Sequence, residues 1–425
     1  MSAVDESNGL IRLARLSPPR TLTMPEWSLP PLRIKGRTLL PIVQGGMGIG
    51  VSAHRLAGTV ASLGAVGTIA SVDLRRLHPD LMAATGTGRD KDAINAANLE
   101  AVDREVRAAL SMAGGRGLVA VNVMRAVTEY GAIVKQACAS GTQAIVMGAG
   151  LPMDLPELTA DFPDVALIPI LSDVRGISVV LKKWARKGRM PDAIVIEHPF
   201  HAGGHLGSPR LEDIDDPRFD FETVVPGALE LFASMGLEPG SIPLIAAGGI
   251  NSPEKVRAML ALGASAVQVG TPFAVSEEGD AHPNFKAVLA GARPEDIVTF
   301  MSDAGLPARG VRTPWLVRYL DREGSLQAKA EPSRCAVGFD CLSHCGLRDG
   351  NPKAGQFCID AQLAAAVRGD VQNGLFFRGS EPLPFGQAIR PARELVAYLL
   401  DGVRPSADAR PRPSAVPEAC AGVLA

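Results

Sequence analysis

Between residues 39 and 269, eight short apolar runs rich in β-branched residues alternate with longer amphipathic stretches. The runs are Leu39 to Val43, Ala65 to Ile69, Leu118 to Val123, Ala144 to Met147, Ala166 to Ile170, Ala193 to Ile196, Leu244 to Ala247 and Ala266 to Val269. Short apolar runs separated by helix-length segments describe parallel strands joined by crossover helices, which makes the chain α/β. Helical periodicity is clear over Ser52 to Leu63, Ile94 to Met112, Thr128 to Ala139, Val174 to Lys187, Glu222 to Met235 and Pro253 to Leu262. Pro253 suits a first helical position, with Ser252 as its cap. Eight such alternations over roughly 250 residues predict a (β/α)₈ TIM barrel, with chemistry at the C-terminal ends of the strands. The competing architecture, an open doubly wound sheet, places G-x-G-x-x-G after its first strand and an acidic residue at the end of its second. Here the first run opens into the tighter Gln44-Gly45-Gly46-Met47-Gly48-Ile49-Gly50, and the second, Ala65 to Ile69, ends without an acid.

This pattern divides the 425 residues into an N-terminal arm over 1–35, a barrel over 36–320, a cysteine-containing C-terminal extension over 321–403 and a disordered tail over 404–425. Helical periodicity at Asp360 to Val367 and Gln387 to Leu400 predicts that the extension packs on the barrel. A net charge of −2 gives no electrostatic footprint for nucleic acid, and 4% aromatic residues supply no base-stacking platform. No apolar stretch approaches the roughly 20 residues of a membrane span, and Met1 to Arg20 lacks the apolar core of a signal peptide. A cytoplasmic protein with a small-molecule substrate is the expectation.

The strand ends carry the candidate chemistry. Gln44, Gly45, Gly46 and Met47 offer unhindered backbone on which a flat cofactor could rest, or a turn before a helix. Asn122 puts an amide inside a buried strand, where it needs either a ligand heteroatom or a neighbouring strand as partner. Gly248-Gly249 and Gly270-Thr271 end the seventh and eighth strands, the usual phosphate-binding corner of such barrels. Ser172 and Asp173 either help to hold a ring or cap the next helix. After the sixth strand comes Ala202-Gly203-Gly204-His205-Leu206-Gly207, where His205 has room for a substrate and titrates near neutrality. His198 and His201 share that loop and are alternative proton carriers or metal ligands. Pro199 and the glycines forbid a metal-binding helix there, which favours proton transfer.

Of six cysteines, Cys335, Cys341, Cys345 and Cys358 lie close together beside His344. Thiolates so spaced are able to ligate zinc or an iron–sulfur cluster, although the intervals match neither ferredoxin spacing nor a zinc ribbon. Reduced, metal-free thiols are the alternative.

Taken together, Pro41 to Gly48, Asn122, Ala202 to Gly207, Ala247-Gly248-Gly249-Ile250, Gln268-Val269-Gly270-Thr271 and Pro307-Ala308-Arg309 resemble the flavin-dependent nitronate monooxygenases. They resemble also the related flavin-containing enoyl-acyl-carrier-protein reductases. The resemblance covers roughly Leu39 to Arg312. It implies FMN with its phosphate near Gly248, Gly249, Gly270 and Thr271, its ring over Gly45, Gly46 and Met47, and Gln44, Asn122, Gly203, Gly204 and Gln268 beside it. His205 corresponds to the family's active-site histidine. The implied activity is oxidative denitrification of alkyl nitronates or nitroalkanes with oxygen. The alternatives are NAD(P)H-dependent reduction of an enoyl thioester and a non-catalytic flavin-binding or scaffold subunit. A homo-oligomer is compatible with each. Glu197-His198-Pro199-Phe200-His201 departs from the commoner pattern, adding charge, bulk and rigidity at the substrate mouth, and the extension is absent from the smaller relatives.

Overall fold

A computed structural model of the chain describes residues 29–86 and 88–405. The disordered tail expected over 404–425 and the arm over 1–35 therefore fall largely outside the described residues. In chain order the strands are β1 (Leu32–Ile34), β2 (Arg37–Leu39), β3 (Ile42–Gln44), β4 (Val66–Ala70), β5 (Leu118–Met124), β6 (Ala144–Gly148) and β7 (Ala166–Leu171). They continue with β8 (Ile194–Glu197), β9 (Gly204–His205), β10 (Leu244–Ala247), β11 (Ala266–Val269), β12 (Ile297–Met301) and β13 (Pro307–Val311). Eight of them close a parallel barrel in the order β10-β11-β3-β4-β5-β6-β7-β8.

Each barrel strand is buried on both faces, which is why it reads as a continuous apolar run. Alternate residues separate into two cores. Val43, Val66, Ala120, Val146, Ile168, Val195, Ile245 and Ala266 point inward, whereas Ile69, Val121, Ile145, Leu167, Ile196 and Val267 pack outward against the helices. The antiparallel β1–β2 hairpin adds Leu32, Ile34 and Leu39 to the inner cluster and so plugs the N-terminal end of the barrel. Leu39, expected in the first barrel strand, belongs to this plug. Pro41 has no N–H to give to a ladder, and the barrel strand starts after it, at Ile42. Ser252 caps the helix Pro253–Leu262 as expected, its hydroxyl accepting from the Lys255 N–H at 3.3 Å.

One further feature was not anticipated as an element. A three-stranded antiparallel sheet, β12-β13-β9, stands over the C-terminal mouth of the barrel, and its inner edge is Gly204-His205. The extension then returns across that mouth. Its helix Ile359–Val367 and the segment through Phe377 join Phe300, Ala308, Leu316 and Leu342 in a separate apolar cluster. The last described helix runs Ala392–Asp401 and buries Leu395, Val396, Leu399 and Leu400 in the outer barrel core. It begins later than the expected Gln387 because Pro391 cannot sit inside a helix and instead precedes its first turn.

Candidate active site

The inward-facing period of two continues for one more step above the apolar interior. That step places Gly45, Asn122, Gly148, Ile170, Glu197, Ala247 and Gln268 in one layer, which forms the floor of a cavity of about 280 Å³ at the C-terminal mouth. The amide side chains of Asn122 and Gln268 have no protein hydrogen-bond partner among the described residues. Polar groups in a mostly apolar recess without partners are groups a ligand can satisfy.

Gln44 is the exception among the first-strand residues. β3 and β4 pair only at Val43 and Val66, so the fully buried Gln44 amide takes over the ladder. Its Oε1 accepts from the Thr68 N–H at 2.9 Å and its Nε2 donates to the Thr68 carbonyl at 3.1 Å. It braces the barrel and does not line the cavity, contrary to the sequence expectation, whereas Gly45, Gly46 and Met47 do line it.

Gly248 and Gly249 turn sharply after β10 with φ of 108° and 73°, a left-handed region that strains any residue with a Cβ. With Gly270 and Thr271 they form one wall of the cavity. The Thr271 hydroxyl accepts from the Gly379 N–H at 3.0 Å, so it also ties this wall to the extension. Asp173 resolves as a helix cap, accepting from the Gly176 N–H at 2.6 Å.

The three histidines of the β8 loop separate cleanly. His198 is buried away from the cavity, with Nε2 3.3 Å from Asp220 and Nδ1 accepting from the Phe200 N–H at 3.2 Å. His201 lines the cavity rim, its Nδ1 3.2 Å from Ser380 Oγ and 3.1 Å from Glu381. His205 lines the cavity from β9, where β13 clamps its backbone opposite Ala308. Its Nε2 lies 3.1 Å from Ser302 Oγ, and Nδ1 has no protein partner among the described residues. Burial pushes the His205 imidazole down to about 4, so it is neutral across the physiological range. Glu197 lies on the floor itself, across the barrel from Gly45, and burial pushes its carboxyl up to about 7. A second clamp holds this loop: the buried Arg309 guanidinium donates to the carbonyls of Pro199 and Ala202 at 3.1 and 2.5 Å.

The extension supplies residues that no local sequence signal announced. Phe377, Arg378, Gly379, Glu381 and Pro382 line the cavity from above. They approach so closely that a Cβ at Gly203 would come within 2.5 Å of the Arg378 and Gly379 backbone. Glu381 meets Lys255 at 2.7 Å, closing the roof against the Gly249 loop. The four clustered cysteines are free thiols. Among the described residues no group of three or more His, Cys, Asp or Glu side chains is arranged to hold a metal ion. Their surroundings explain this. The Cys345 sulfur accepts from the Arg348 N–H at 3.4 Å as a helix cap, and Cys341 faces the cavity over an apolar cluster. Burial pushes the metal-free Cys358 thiol up to about 12. No described helix is long and apolar enough to cross a membrane.

A likeness to solved structures runs over most of the chain. FabK from Thermotoga maritima superposes with a TM-score of 0.55 at 23% identity, covering 85% of this chain and 91% of that one. A nitroalkane oxidase from Streptomyces ansochromogenes gives 0.56 at 20% identity, covering 84% and 94%. These likenesses show the fold. In sequence, a nitronate monooxygenase of Pseudomonas aeruginosa is 35% identical over 120 residues, 28% of this chain and 31% of that protein. The match spans about a third of the length of the curated relatives. The family model described as nitronate monooxygenase matches residues 32–402, taking in plug, barrel, clamping sheet and extension alike, and the chain belongs to that family.

Proposed function

We propose that the chain is an FMN-dependent oxidoreductase that converts nitroalkanes and their nitronates with oxygen, with His205 as the base. The observation that carries this reading is the position of His205: a sheet-clamped neutral imidazole at the edge of a cavity floored by two unpartnered amides. The site fits a flavin. A Cβ at Gly46 would come within 2.4 Å of Asn122 Cβ, so the first loop lies flat against the floor, and Gly45 to Met47 present backbone to a planar ring. Asn122 and Gln268 would meet the ring's heteroatoms, and Gly248, Gly249, Gly270 and Thr271 would hold the phosphate. When bound, FMN accepts electrons from the nitronate and passes them to oxygen.

His205 removes the α-proton of a neutral nitroalkane. The C–H electron pair moves onto the nitro group to give the nitronate, and the proton stays on the imidazole, stabilised through Ser302. Clamping by β13 and by Arg309 keeps the ring at one place during the transfer.

A second reading has its own observation. The Glu197 carboxyl, protonated up to about pH 7, is a proton donor that nitronate oxidation does not need but reduction of an enoyl thioester by NAD(P)H does. Anaerobic bleaching of the flavin separates the two. Reduction by ethylnitronate and not by NADPH is expected; bleaching by NADPH alone assigns the reductase activity, and a protein that cannot be loaded with FMN overturns both.

A further inference from the structure

Beyond His205 the cavity does not end at the barrel mouth. It continues into an arm between the end of β5 and the extension, walled by Met124, Val127, Cys341, Leu342, Leu363 and Phe377. The two sides are fastened together. Val127 and Leu342 form an antiparallel bridge, the Thr128 N–H donates to the Cys341 carbonyl at 3.1 Å, and the Ser343 N–H donates to the Ala126 carbonyl at 2.9 Å. Behind the extension wall stands the apolar cluster of Phe300, Leu316, Phe357 and Leu375, so the wall is backed by packed core.

Among the described residues that line this arm, none offers a free charge. Asp360 lines it, but its carboxyl group is engaged by Arg76 and by a hydrogen bond with Asp73. Cys341 is held as a neutral thiol by burial and behaves as a small apolar group. Met124, Cys341, Leu363 and Phe377 are each only partly buried, although they sit inside a cavity. Apolar surface left in that state is surface a hydrocarbon would cover. The arm opens directly on the reacting position, because the Phe377 ring packs edge-on to the His205 ring with centroids 5.8 Å apart.

We propose that the extension builds a chain-binding chamber, and that the substrate is a nitronate bearing a linear hydrocarbon tail that runs from His205 past Phe377 to Leu363. This rests on the nitronate reading above and deepens it, since the barrel residues alone set no preference for chain length. The extension is then the specificity element of the enzyme.

The test uses the full-length, flavin-loaded protein and the nitronates of linear 1-nitroalkanes from nitroethane to nitrooctane. Burying a methylene is worth roughly 0.8 kcal/mol, so kcat/KM is expected to rise by about fourfold per added carbon until the chamber fills, then level off. Leu363→Trp should flatten the rise at a shorter chain, and Leu363→Ala should extend it to a longer one; thermal melting verifies that both variants fold. A flat or falling series in the wild-type protein overturns the chamber, as it would if the cofactor ring filled this space. Failure to turn over any nitronate overturns the nitronate reading instead, and the chamber is then decided by binding of non-reacting 1-alkanols followed by thermal shift. Stabilisation that grows with alkanol length and responds to the two Leu363 variants in opposite directions supports the chamber. Stabilisation independent of length rejects it.

Discussion

Two titratable side chains on the cavity are displaced in directions that assign them different work. His205 is held down to about 4 and Glu197 up to about 7, each by burial. Replacing His205 by Ala is expected to leave flavin bound, measured by its absorbance, while turnover of a neutral nitroalkane falls by about 10²- to 10⁴-fold. Preformed nitronate, which needs no base, should lose much less. If His201→Ala gives that pattern and His205→Ala does not, the base is the rim histidine. Glu197 leads to a prediction about pH. Below about 7 its carboxyl is neutral, and above it a buried carboxylate shares the cavity with an anionic nitronate. KM for nitronate should therefore rise as pH passes through about 7, and Glu197→Gln should remove that rise; an unchanged profile in the variant assigns the ionisation elsewhere. Glu197 was legible as an oddity before the glycine loop, but its place on the floor follows only from continuing the inward period of β8 beyond Val195. Gln44 shows the opposite failure. Its spacing resembles a cofactor contact, yet the short β3–β4 pairing consumes the side chain, and nothing local to Gln44 signals how far two strands will pair.

Among the elements, strands such as Leu244–Ala247 and Ala266–Val269 were readable to the residue because apolar runs buried on both faces have abrupt polar ends. The helix Ile359–Val367 was nearly as clear, but its function as a latch was not. Asp360, in its first turn, is held between Arg76 and Asp73 of the β4 loop. Burial and the Asp73 carboxylate push Asp360 up to about 7, outweighing the attraction of Arg76. Asp360 Oδ2, without a hydrogen-bond partner among the described residues, is explained if Asp360 keeps a proton that it shares with the Asp73 carboxylate. A carboxyl with a raised folded pKa contributes stability that is complete below the unfolded value near 4 and is lost as pH rises through about 7. Unfolding measured by urea should therefore show this contribution declining from pH 5 to pH 8. Asp360→Asn, which cannot ionise, should be the flatter of the two across that range. A wild-type profile no steeper than the variant's excludes the shared proton.

For the whole molecule, the cavity belongs to neither barrel nor extension alone. The barrel supplies the floor and the glycine walls; the extension supplies the roof, pressed onto Gly203 and bonded to Thr271 through Gly379. That roof was invisible in the sequence because each contact joins segments far apart in the chain, and a glycine at 203 looks the same whether it faces a ligand or another backbone. One consequence concerns stability. A ligand that bridges floor, walls and roof stabilises the folded state by RT ln(1 + [L]/Kd), about 2.7 kcal/mol at a hundredfold excess over Kd. Flavin-stripped protein should therefore melt at a lower temperature than protein reloaded with FMN, with the shift growing as the logarithm of free FMN. Riboflavin, with the same ring and no phosphate, tests the wall made by Gly248, Gly249, Gly270 and Thr271 separately from the floor. Its shift at equal concentration should be clearly smaller, and removing Thr271's hydroxyl by Thr271→Val should narrow the gap between the two ligands. Equal shifts for FMN and riboflavin would move the phosphate out of that wall and leave the ring as the only group the cavity recognises.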